Sequence, residues 1–538
     1  MISINSDNPL GNLTSLPLCK RGTEGDFCVP ATLKSPLAPL LQRGECVVIA
    51  RIRSNGLSGI KILLITFCVL AVLSLAGCAV GPDYKRPAVI PPTTFKEESN
   101  QWKLADPRDH ALRGKWWEIY GDIQLNALIQ QVSISNQNIH SAEAQYRQAL
   151  ALIGVARARY FPTVTGNFAN TRGQGASSTN VGVTIPGNPS AAITNTNRLL
   201  MSASWEADLW GRIGRTVESN QASAEASAAD LQSALLSVQS TLVQTYLQLR
   251  INDAQRKLLE QTTIAYKRSL QITQNRYEAG LAGRSDVVQA DTQLKSTQAQ
   301  AIDLGVQRAQ LEHAIAVLIG KAPSNFLIKP TLTLPNLPAF PAGLPSELLE
   351  RRPDIAAAER RIKAANAQIG VIQAAYFPSL ILGASTGYQS SLLSNLISLP
   401  RRVWSIGPTM AATLFDGGLR SSQKEQAIAS FDKSVADYRQ IVLAGFQEVE
   451  DNLSTLRILG EEAKVQLEAT RSAQESVSLF NNQYIAGTVS YLNVVTAQAT
   501  ALDADMRSLN ITGRSLIAST ALLKALGGDW RTEQKNPN

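Results

Sequence analysis

Two carboxylates lie close together in the sequence and could perform acid–base chemistry. Glu206 and Asp208 are separated by one residue in a stretch where apolar and polar residues alternate. Alternation with a period of two predicts a β-strand, on which both carboxylates would project from one face. The same face carries Ser204, a hydroxyl residue, and no histidine that could act as a base. We therefore interpret this face as the polar lining of a water-filled lumen, with a catalytic pair as the less favoured alternative.

Other sequence signatures of catalysis or of cofactor binding are missing. Gly320-Lys321 lacks the upstream glycine and the following Ser or Thr of a phosphate-binding loop. The three histidines, His110, His140 and His313, are far apart, which argues against a metal site. The net charge of +8 is spread along the chain and gives no case for nucleic-acid binding. We predict no enzyme activity, no cofactor, no metal and no nucleic-acid partner.

Cys78 is the residue for which the sequence predicts covalent chemistry. A short apolar run with basic residues before it ends in Leu75-Ala76-Gly77-Cys78, which has the parts of a secretory signal. The ending resembles a bacterial lipobox, in which the thiol is acylated and the cysteine becomes the first mature residue. Because Ala79 rather than Asp follows, we expect sorting to the outer membrane. No cysteine occurs after Cys78, which excludes disulfides downstream.

The elements around these residues begin with a repeated tripeptide. Tyr-Phe-Pro occurs at 160–162 and again at 376–378, each time after an Ala-rich stretch with helical character. Proline lacks a backbone donor and disfavours the helical conformation in the residue before it, so both helices should end there. Matching residues upstream of the two copies indicate an internal two-fold repeat. After each copy, alternation predicts two strands, the first pair being separated by a polar loop over 173–196.

The predicted strands have one apolar and one polar face. We assign the apolar face to lipid, and it includes Met201, Trp205, Trp404 and Ile406. We assign the polar face to the lumen, and it includes Ser204, Glu206, Asp208 and Thr409. Four strands cannot close a barrel, and an open sheet edge is forbidden in lipid, so several chains would have to combine their strands.

Long helices without proline follow each pair of strands. They cover 213–278 and 285–319 after the first pair, and 419–485 and 491–526 after the second. A further predicted helix, 123–159, precedes the first pair. Helices of this length indicate coiled-coil packing. Gly280 and Gly487 lie at the turns between the long and the returning helices, where glycine suits a left-handed cap.

Several motifs resemble those of the lipoprotein (NodT) branch of outer-membrane efflux proteins, the TolC-like outer-membrane factors. These are the lipobox, Gly81-Pro82-Asp83-Tyr84, Trp116-Trp117, Arg351-Arg352-Pro353-Asp354-Ile355, both Tyr-Phe-Pro tripeptides, Phe415-Asp416-Gly417-Gly418 and Leu523-Lys524-Ala525-Leu526-Gly527-Gly528. The resemblance implies an α+β membrane protein that forms a homotrimer. Its transmembrane β-barrel would have four strands per chain and would continue into a long α-helical coiled-coil periplasmic barrel. It also implies a periplasmic adaptor protein and an inner-membrane pump, commonly of the RND class, as partners.

This interpretation divides the chain into seven predicted segments. They are a start-site artefact or extension (1–50), the lipoprotein signal peptide (51–77), an N-terminal extended segment (78–122), efflux repeat 1 (123–322), a Pro-rich inter-repeat linker (323–345), efflux repeat 2 (346–530) and a C-terminal tail (531–538).

The resemblance also implies a gate at the periplasmic end. Relatives often close that end with a ring of Asp, whereas the matching positions here are Asn493 and Thr496. We expect Leu492 to form an apolar constriction and Asp286, with Asp291 nearby, to supply the acidic groups. The turns predicted to dock the adaptor contain Gly280, Leu281, Gly487, Thr488 and Val489. The alternative is that Leu492 packs between helices and Asp286 caps the returning helix.

The leading functional prediction is a passive exit duct of a tripartite efflux system in the outer membrane of a Gram-negative bacterium. An exit channel of a type I protein secretion system would use the same architecture. A non-conducting coiled-coil scaffold of the envelope is a third alternative. The cargo is chosen by the pump, so this sequence does not name it.

Overall fold

The computed structural model describes residues 79–88, 115–174, 193–331, 334–338 and 352–528. Cys78, the predicted signal peptide, the extension before it and the C-terminal tail lie outside the described residues. The helices are α1 (Ile123–Ser135), α2 (Gln137–Ala158), α3 (Arg212–Glu278), α4 (Arg284–Leu318), α5 (Pro353–Ala374), α6 (Leu419–Ile485) and α7 (Tyr491–Ala525). The strands are β1 (Thr163–Gln174), β2 (Ile193–Ala207), β3 (Ser379–Ser390) and β4 (Arg402–Ala411).

The lengths of the elements recur along the chain. Helices α2 and α5 each have 22 residues, strands β1 and β3 have 12, helices α3 and α6 have 67, and helices α4 and α7 have 35. Helices α2 and α5 end at Ala158 and Ala374, two residues before each Tyr-Phe-Pro, as the restriction imposed by proline predicts. The bounds predicted for the four long helices are confirmed to within one residue.

The predicted helix 123–159 was wrong in being continuous, because it is interrupted at Asn136. The backbone of Asn136 is extended, and its N–H donates to Val132 O at the end of α1. Its side-chain oxygen accepts from the N–H groups of Asn138 and Ile139 and so caps α2. Its amide nitrogen donates to Leu318 O at 2.7 Å. Asparagine is a favoured N-cap because its short side chain reaches the unpaired N–H groups of the first turn.

The strands form one antiparallel sheet in the order β1-β2-β3-β4. The predicted loop 173–196 is shorter than expected, since β1 continues to Gln174 and β2 begins at Ile193. Register aligns four hydroxyl residues in one line across one face, namely Thr165, Ser202, Ser385 and Ser405. The polar faces of the two strand pairs therefore become one surface.

The helices that directly precede or follow the strands in the chain lie side by side in the same order as the strands. Helix α2 packs on α3, α3 packs on α5, and α5 packs on α6. Helices α4 and α7 return along α3 and α6, and α7 also packs on α3. One buried core joins Trp116 and Tyr120 to α1, α3, α4 and α7, and a second joins α5, α6 and the end of α7. None of the described helices contains a stretch apolar enough to cross a bilayer.

A buried ionic cluster holds the chain after α4 against the helices. Arg308 on α4 donates to Asp253 on α3 at 2.8 Å, to Glu312 at 3.0 Å and to Ile328 O at 2.7 Å. The N–H of Ile328 donates back to Glu312. One cation therefore joins two carboxylates and the beginning of the inter-repeat linker.

Candidate functional site

The sheet has a continuous apolar face that comes from all four strands. Met201 on β2 lies beside Gly166 on β1 and Thr386 on β3, and its side chain is 59% exposed in the single chain. The apolar side chains that register places on this face include Val164, Phe168, Leu199, Ala203, Trp205, Leu380, Leu382, Ala384, Trp404, Ile406 and Met410. Met201, Trp205, Trp404 and Ile406, the predicted lipid-facing residues, thus share one face. A wide, exposed apolar band on a strongly paired sheet is typical of a lipid-facing surface.

The apolar face changes character at both ends. At the end remote from the helices, Asn170, Asn197 and Ser390 occupy neighbouring positions, and Asn197 Nδ2 donates to Ser390 O at 3.3 Å. At the end close to the helices, the indole N–H of Trp205 donates to Tyr160 O at 2.9 Å. Aromatic groups whose polar atom is hydrogen-bonded suit the boundary between lipid and water. The apolar band therefore has an edge at each end.

The opposite face of the sheet is polar. Ser204 lies between Thr163 and Gly383, and Thr409 lies opposite Ile381. The hydroxyls of Ser385 and Ser405 are 2.9 Å apart on the same face. Hydroxyl groups that bond to each other and remain exposed are compatible with an aqueous lumen.

The two neighbouring carboxylates, Glu206 and Asp208, bind different partners. Glu206, on β2, forms an ion pair of 2.6 Å with Arg212 at the start of α3. Asp208 lies beyond the last residue of β2, which corrects its prediction as a polar residue of the strand face. Its carboxylate accepts from the N–H of Ile213 at 2.9 Å and of Gly214 at 2.7 Å. Asp208 therefore accepts hydrogen bonds from otherwise unpaired N–H groups at the N-terminus of α3. Its negative charge is also favourable at the positive end of the helix dipole.

In the turn from β4 into α6, an aspartate again accepts hydrogen bonds from backbone N–H groups at the start of a helix. Asp416 accepts from the N–H groups of Gly418 and Arg420, and the guanidinium of Arg420 lies on the same carboxylate. The hydrogen bond from Arg420 lowers the pKa of Asp416, and the backbone N–H groups lower it further. A glycine with positive φ precedes each helix, Gly211 at 74° and Gly418 at 91°. Glycine adopts this conformation without a steric cost.

These turns hold the second Tyr-Phe-Pro tripeptide from both sides. Trp210, in the turn after β2, stacks on Phe377 with ring centroids 4.7 Å apart and donates to Pro378 O at 2.7 Å. Arg420, in the first turn of α6, lies 5.3 Å from the ring centroid of Tyr376. The strand-to-helix junction is therefore cross-linked by side chains of neighbouring elements.

The segment that follows Cys78 has a role that the sequence did not reveal. Gly81 packs so closely on Gly370 of α5 that a Cβ atom on Gly81 would lie 2.5 Å from the Gly370 Cα. Hydrogen bonds also fix the backbone of this segment: Val80 N–H donates to Trp210 O at 3.2 Å, and Asn366 Nδ2 donates to Pro82 O at 2.8 Å. Two side chains of the segment are bound as well. Arg215 donates to Asp83 at 3.0 Å, and the Tyr84 hydroxyl donates to Glu359 at 2.5 Å. Burial and the bond to Glu359 raise the pKa of the Tyr84 hydroxyl. The conformation of this motif depends on partners more than 130 residues away.

The two helical tips, which are the turns from α3 into α4 and from α6 into α7, have the predicted left-handed glycine caps. Gly280 and Gly487 have φ of 73° and 78°. Leu281 N–H then donates to Arg276 O at 2.8 Å, and Thr488 N–H donates to Gln483 O at 3.0 Å, which satisfies carbonyls of the last helical turns.

One arginine joins the two tips. Arg276 of α3 donates to Ile485 O at 2.8 Å and lies 4.9 Å from the ring centroid of Tyr484. Tyr484 packs with Tyr491, Val494 and Ala290 in a small buried cluster that also contacts Val489. The two tips of one chain therefore form a single packed unit.

The predicted gate residues lie at the beginning of the returning helices. Leu492 is 56% exposed and, with Thr496 one turn later, follows the uncovered side of α7. Asn493 and Asp286 are half-buried and Asp291 is exposed. Leu492 does not pack between helices of its own chain. The N-cap of α4 is Gly283, without a side-chain cap, so the alternative in which Asp286 caps that helix does not hold.

Metal binding is not indicated at these positions. Across the described ranges, no group of three or more His, Cys, Asp or Glu side chains is placed to hold a metal ion. Burial raises the pKa of the Tyr491 hydroxyl, and the charges of Tyr484 and Asp286 raise it further.

Comparison with known proteins gives a consistent result. The family model described as "Outer membrane efflux protein" matches residues 128–321 and 344–528. The solvent efflux pump outer membrane protein SrpC of Pseudomonas putida is 31% identical over 473 residues, which cover 87% of this chain and 98% of SrpC. The cation efflux system protein CusC of Escherichia coli is 28% identical over 87% of this chain and 99% of its own. The solved outer-membrane channel OprN matches with a TM-score of 0.75 and 30% identity, over 84% of this chain and all of that one.

Proposed function

We propose, since the chain belongs to the family of outer membrane efflux proteins and is an efflux channel of the outer membrane, that three copies form a closed duct. The duct would be a passive exit for substrates that an inner-membrane pump, of the RND class, delivers through a periplasmic adaptor. It would have no enzyme activity of its own, because selection and energy come from the pump.

The two-faced sheet supports this proposal most directly. Its apolar band and its line of hydroxyls each combine strands from both halves of the chain. The register of strand pairing brings these residues together on their two faces. Among the described residues, β1 and β4 are paired on one side only. Unpaired backbone groups are not tolerated in lipid, so the edges require strands from other copies. Three copies would bring the sheet to twelve strands, a size within the range of closed membrane barrels.

The lipid anchor would attach at the edge of the membrane band. Ala79 lies against Gly211 in the β2–α3 turn, and this turn is where the apolar face ends. An acyl chain on the preceding residue would therefore enter the periplasmic leaflet beside the barrel. The docking of Gly81 on Gly370 would fix that position relative to the helices.

Cys78→Ser is expected to abolish acylation, because the thioether requires the thiol. Intact-mass measurement of the purified variant should show an unlipidated precursor. The fraction recovered in outer membranes should fall without vanishing, since the barrel contributes its own affinity for lipid. Native protein without acyl mass at Cys78 would refute the anchor and would leave the channel proposal standing.

Conductance tests the duct. Purified protein in planar bilayers should give discrete single-channel currents, and a scaffold would give none. Leu492→Ser should raise the conductance severalfold, and Leu492→Ser with Asp286→Ala should raise it further, because three apolar side chains and three carboxylates would leave the axis. Asp303→Ala is the matched control, because Asp303 is exposed on the same helix but lies more than four turns from Asp286. Unchanged conductance in both variants would refute a gate formed by these two residues.

A further inference from the structure

The loop between β3 and β4, residues 391–401, folds over the apolar face of the sheet. Asn197 and Ser390 project from that face, yet they are only 2% and 3% exposed. Asn197 Nδ2 donates to Ser391 O at 3.3 Å, and the N–H of Leu392 donates to Ser390 Oγ at 3.2 Å. Two side chains of the apolar face therefore bind the backbone of the loop, at the end of the sheet remote from the helices.

The loop is compact but leaves large apolar side chains uncovered. Ser390 Oγ donates to Asn395 Oδ1 and Ser398 Oγ donates to Asn395 O, both at 3.0 Å, and Leu396 is buried. Four large side chains of the loop are nevertheless 60%, 62%, 72% and 81% exposed, namely Leu392, Leu393, Ile397 and Leu399. Exposed apolar groups that adjoin one another mark contact with a membrane or with another molecule.

The same end of the sheet is basic and has no acidic residue. Segments 163–205 and 379–415 contain the strands, apart from the last two residues of β2, and the loop 391–401. Their charged residues are Arg172, Arg198, Arg401 and Arg402, without any Asp, Glu or Lys. Another copy of the chain would add the same arginines and no carboxylate. Negative charge at this end must therefore come from a different molecule.

Register divides these arginines between the two faces. Arg172 and Arg402 lie on the apolar face, at the outer ends of the edge strands β1 and β4. Arg198 lies on the polar face and donates to Gln389 at 3.0 Å. Arginines beside apolar surface keep the guanidinium in the polar interface, where its planar fork matches phosphate. Phosphate on an acylated molecule would satisfy both the charge and the apolar side chains.

We propose that the loop 391–401, with Arg172 and Arg402, binds a phosphorylated lipid of the outer leaflet. The phosphate would contact the guanidinium groups, and the acyl chains would lie against the exposed side chains of the loop. A lipid is favoured over a protein partner because the loop continues the apolar band of the sheet. In a closed barrel the β4 edge of one copy would border the β1 edge of the next, so both arginines would flank one boundary. This inference rests on the outer-membrane duct proposed above, which places this end of the sheet outward.

Binding of bisphosphorylated lipid A to the purified full chain in nonionic detergent tests the site. Native mass spectrometry gives the concentration of half-saturation. Arg172→Gln with Arg402→Gln should weaken binding roughly 25-fold, since one arginine near an anionic lipid surface contributes about fivefold. Arg198→Gln is the matched control, because Arg198 lies at the same end on the opposite face, and it should leave binding unchanged. Lysine at both positions keeps the charges and should retain most of the binding.

Two further probes identify the chemistry of the ligand. Dephosphorylated lipid A should bind about as weakly to the unsubstituted protein as lipid A binds to the double glutamine variant. Inorganic phosphate at millimolar concentration should not displace lipid A, since it has no acyl chains. Equal binding of the two lipids overturns phosphate recognition, and displacement by inorganic phosphate overturns the assignment to a lipid.

Single-channel currents from the same preparations separate this inference from the proposed function. A conducting double glutamine variant that binds lipid A like the unsubstituted protein overturns the site and leaves the duct standing. Absence of currents from the unsubstituted protein overturns the duct, and with it the outward position of the loop. Weaker binding in the glutamine variant and retained binding in the lysine variant, both conducting, support the site.

The position of the loop gives a second readout. The sequence after Cys78 contains no other thiol, so Leu399→Cys can be labelled with a fluorophore in the full chain. In vesicles of phosphatidylethanolamine with lipid A, brominated acyl chains should quench this label. The same label at Ser204→Cys, on the polar face of β2, is the control and should remain unquenched. Equal fluorescence at the two positions would overturn the contact between the loop and lipid.

Discussion

Arg308→Leu is expected to lower the free energy of unfolding by about 3–5 kcal/mol, because it breaks a buried ion pair. The guanidinium holds Asp253, whose side chain is 3% exposed, and Glu312, whose side chain is 10% exposed. Removing the cation leaves two carboxylates in a region with little water. Within the described part of the chain, the second oxygen of Asp253 has no hydrogen-bond partner.

Urea unfolding of the protein in detergent, followed by helical circular dichroism, measures this effect. Arg256→Leu is the matched control, because Arg256 pairs with Glu260 at 2.9 Å while both side chains are about half exposed, and such pairs contribute less than about 1 kcal/mol. Equal losses in the two variants would mean that the buried cluster has no special role. Arg308→Lys should recover part of the loss, since one ammonium group can pair with one carboxylate but cannot reproduce the three bonds of the fork.

Met201→Arg is expected to impair assembly in the membrane by about 2–4 kcal/mol, and Ser204→Arg by much less. Met201 lies near the middle of the apolar face, between the row of Asn197 and the indole of Trp205. An arginine there would have to leave water or distort the bilayer. Ser204 is on the opposite face, three residues along the same strand, where an arginine would remain hydrated in the proposed lumen.

Folding into vesicles, measured by the heat-modifiable shift of the oligomer on gels and by urea titration, distinguishes the two substitutions. Met201→Leu serves as the control for loss of the methionine itself and should behave like the unsubstituted protein. Equal impairment by arginine at Met201 and Ser204 would refute the assignment of faces. Greater impairment at Ser204 would reverse it.

The sequence by itself determined the elements whose causes are local. Proline sets the ends of α2 and α5 through its effect on the preceding residue. A period of two separates Met201 from Ser204 on any strand, whatever the strand packs against. Glycine specifies the caps at Gly280 and Gly487, because the left-handed conformation is costly for other residues. Asn136 was also within reach of sequence reasoning, since an asparagine inside a helical stretch is a known cap signal, and its helix was predicted without the interruption.

Only the tertiary structure decided which distant residues meet. The alternation near Asp208 could not show that the strand ends one residue earlier and that its carboxylate satisfies the N-terminus of α3. Gly81 and Gly370 are ordinary glycines in the sequence, and their close approach exists because two elements far apart in the chain cross there. The cluster of Arg308 with Asp253 and the line of hydroxyls from Thr165 to Ser405 arise in the same way. Local patterns fix what each element is, because dihedral preference and periodicity act over a few residues. Register, ion pairing and helix contact join positions with no local relation, so packing of the whole chain determines them.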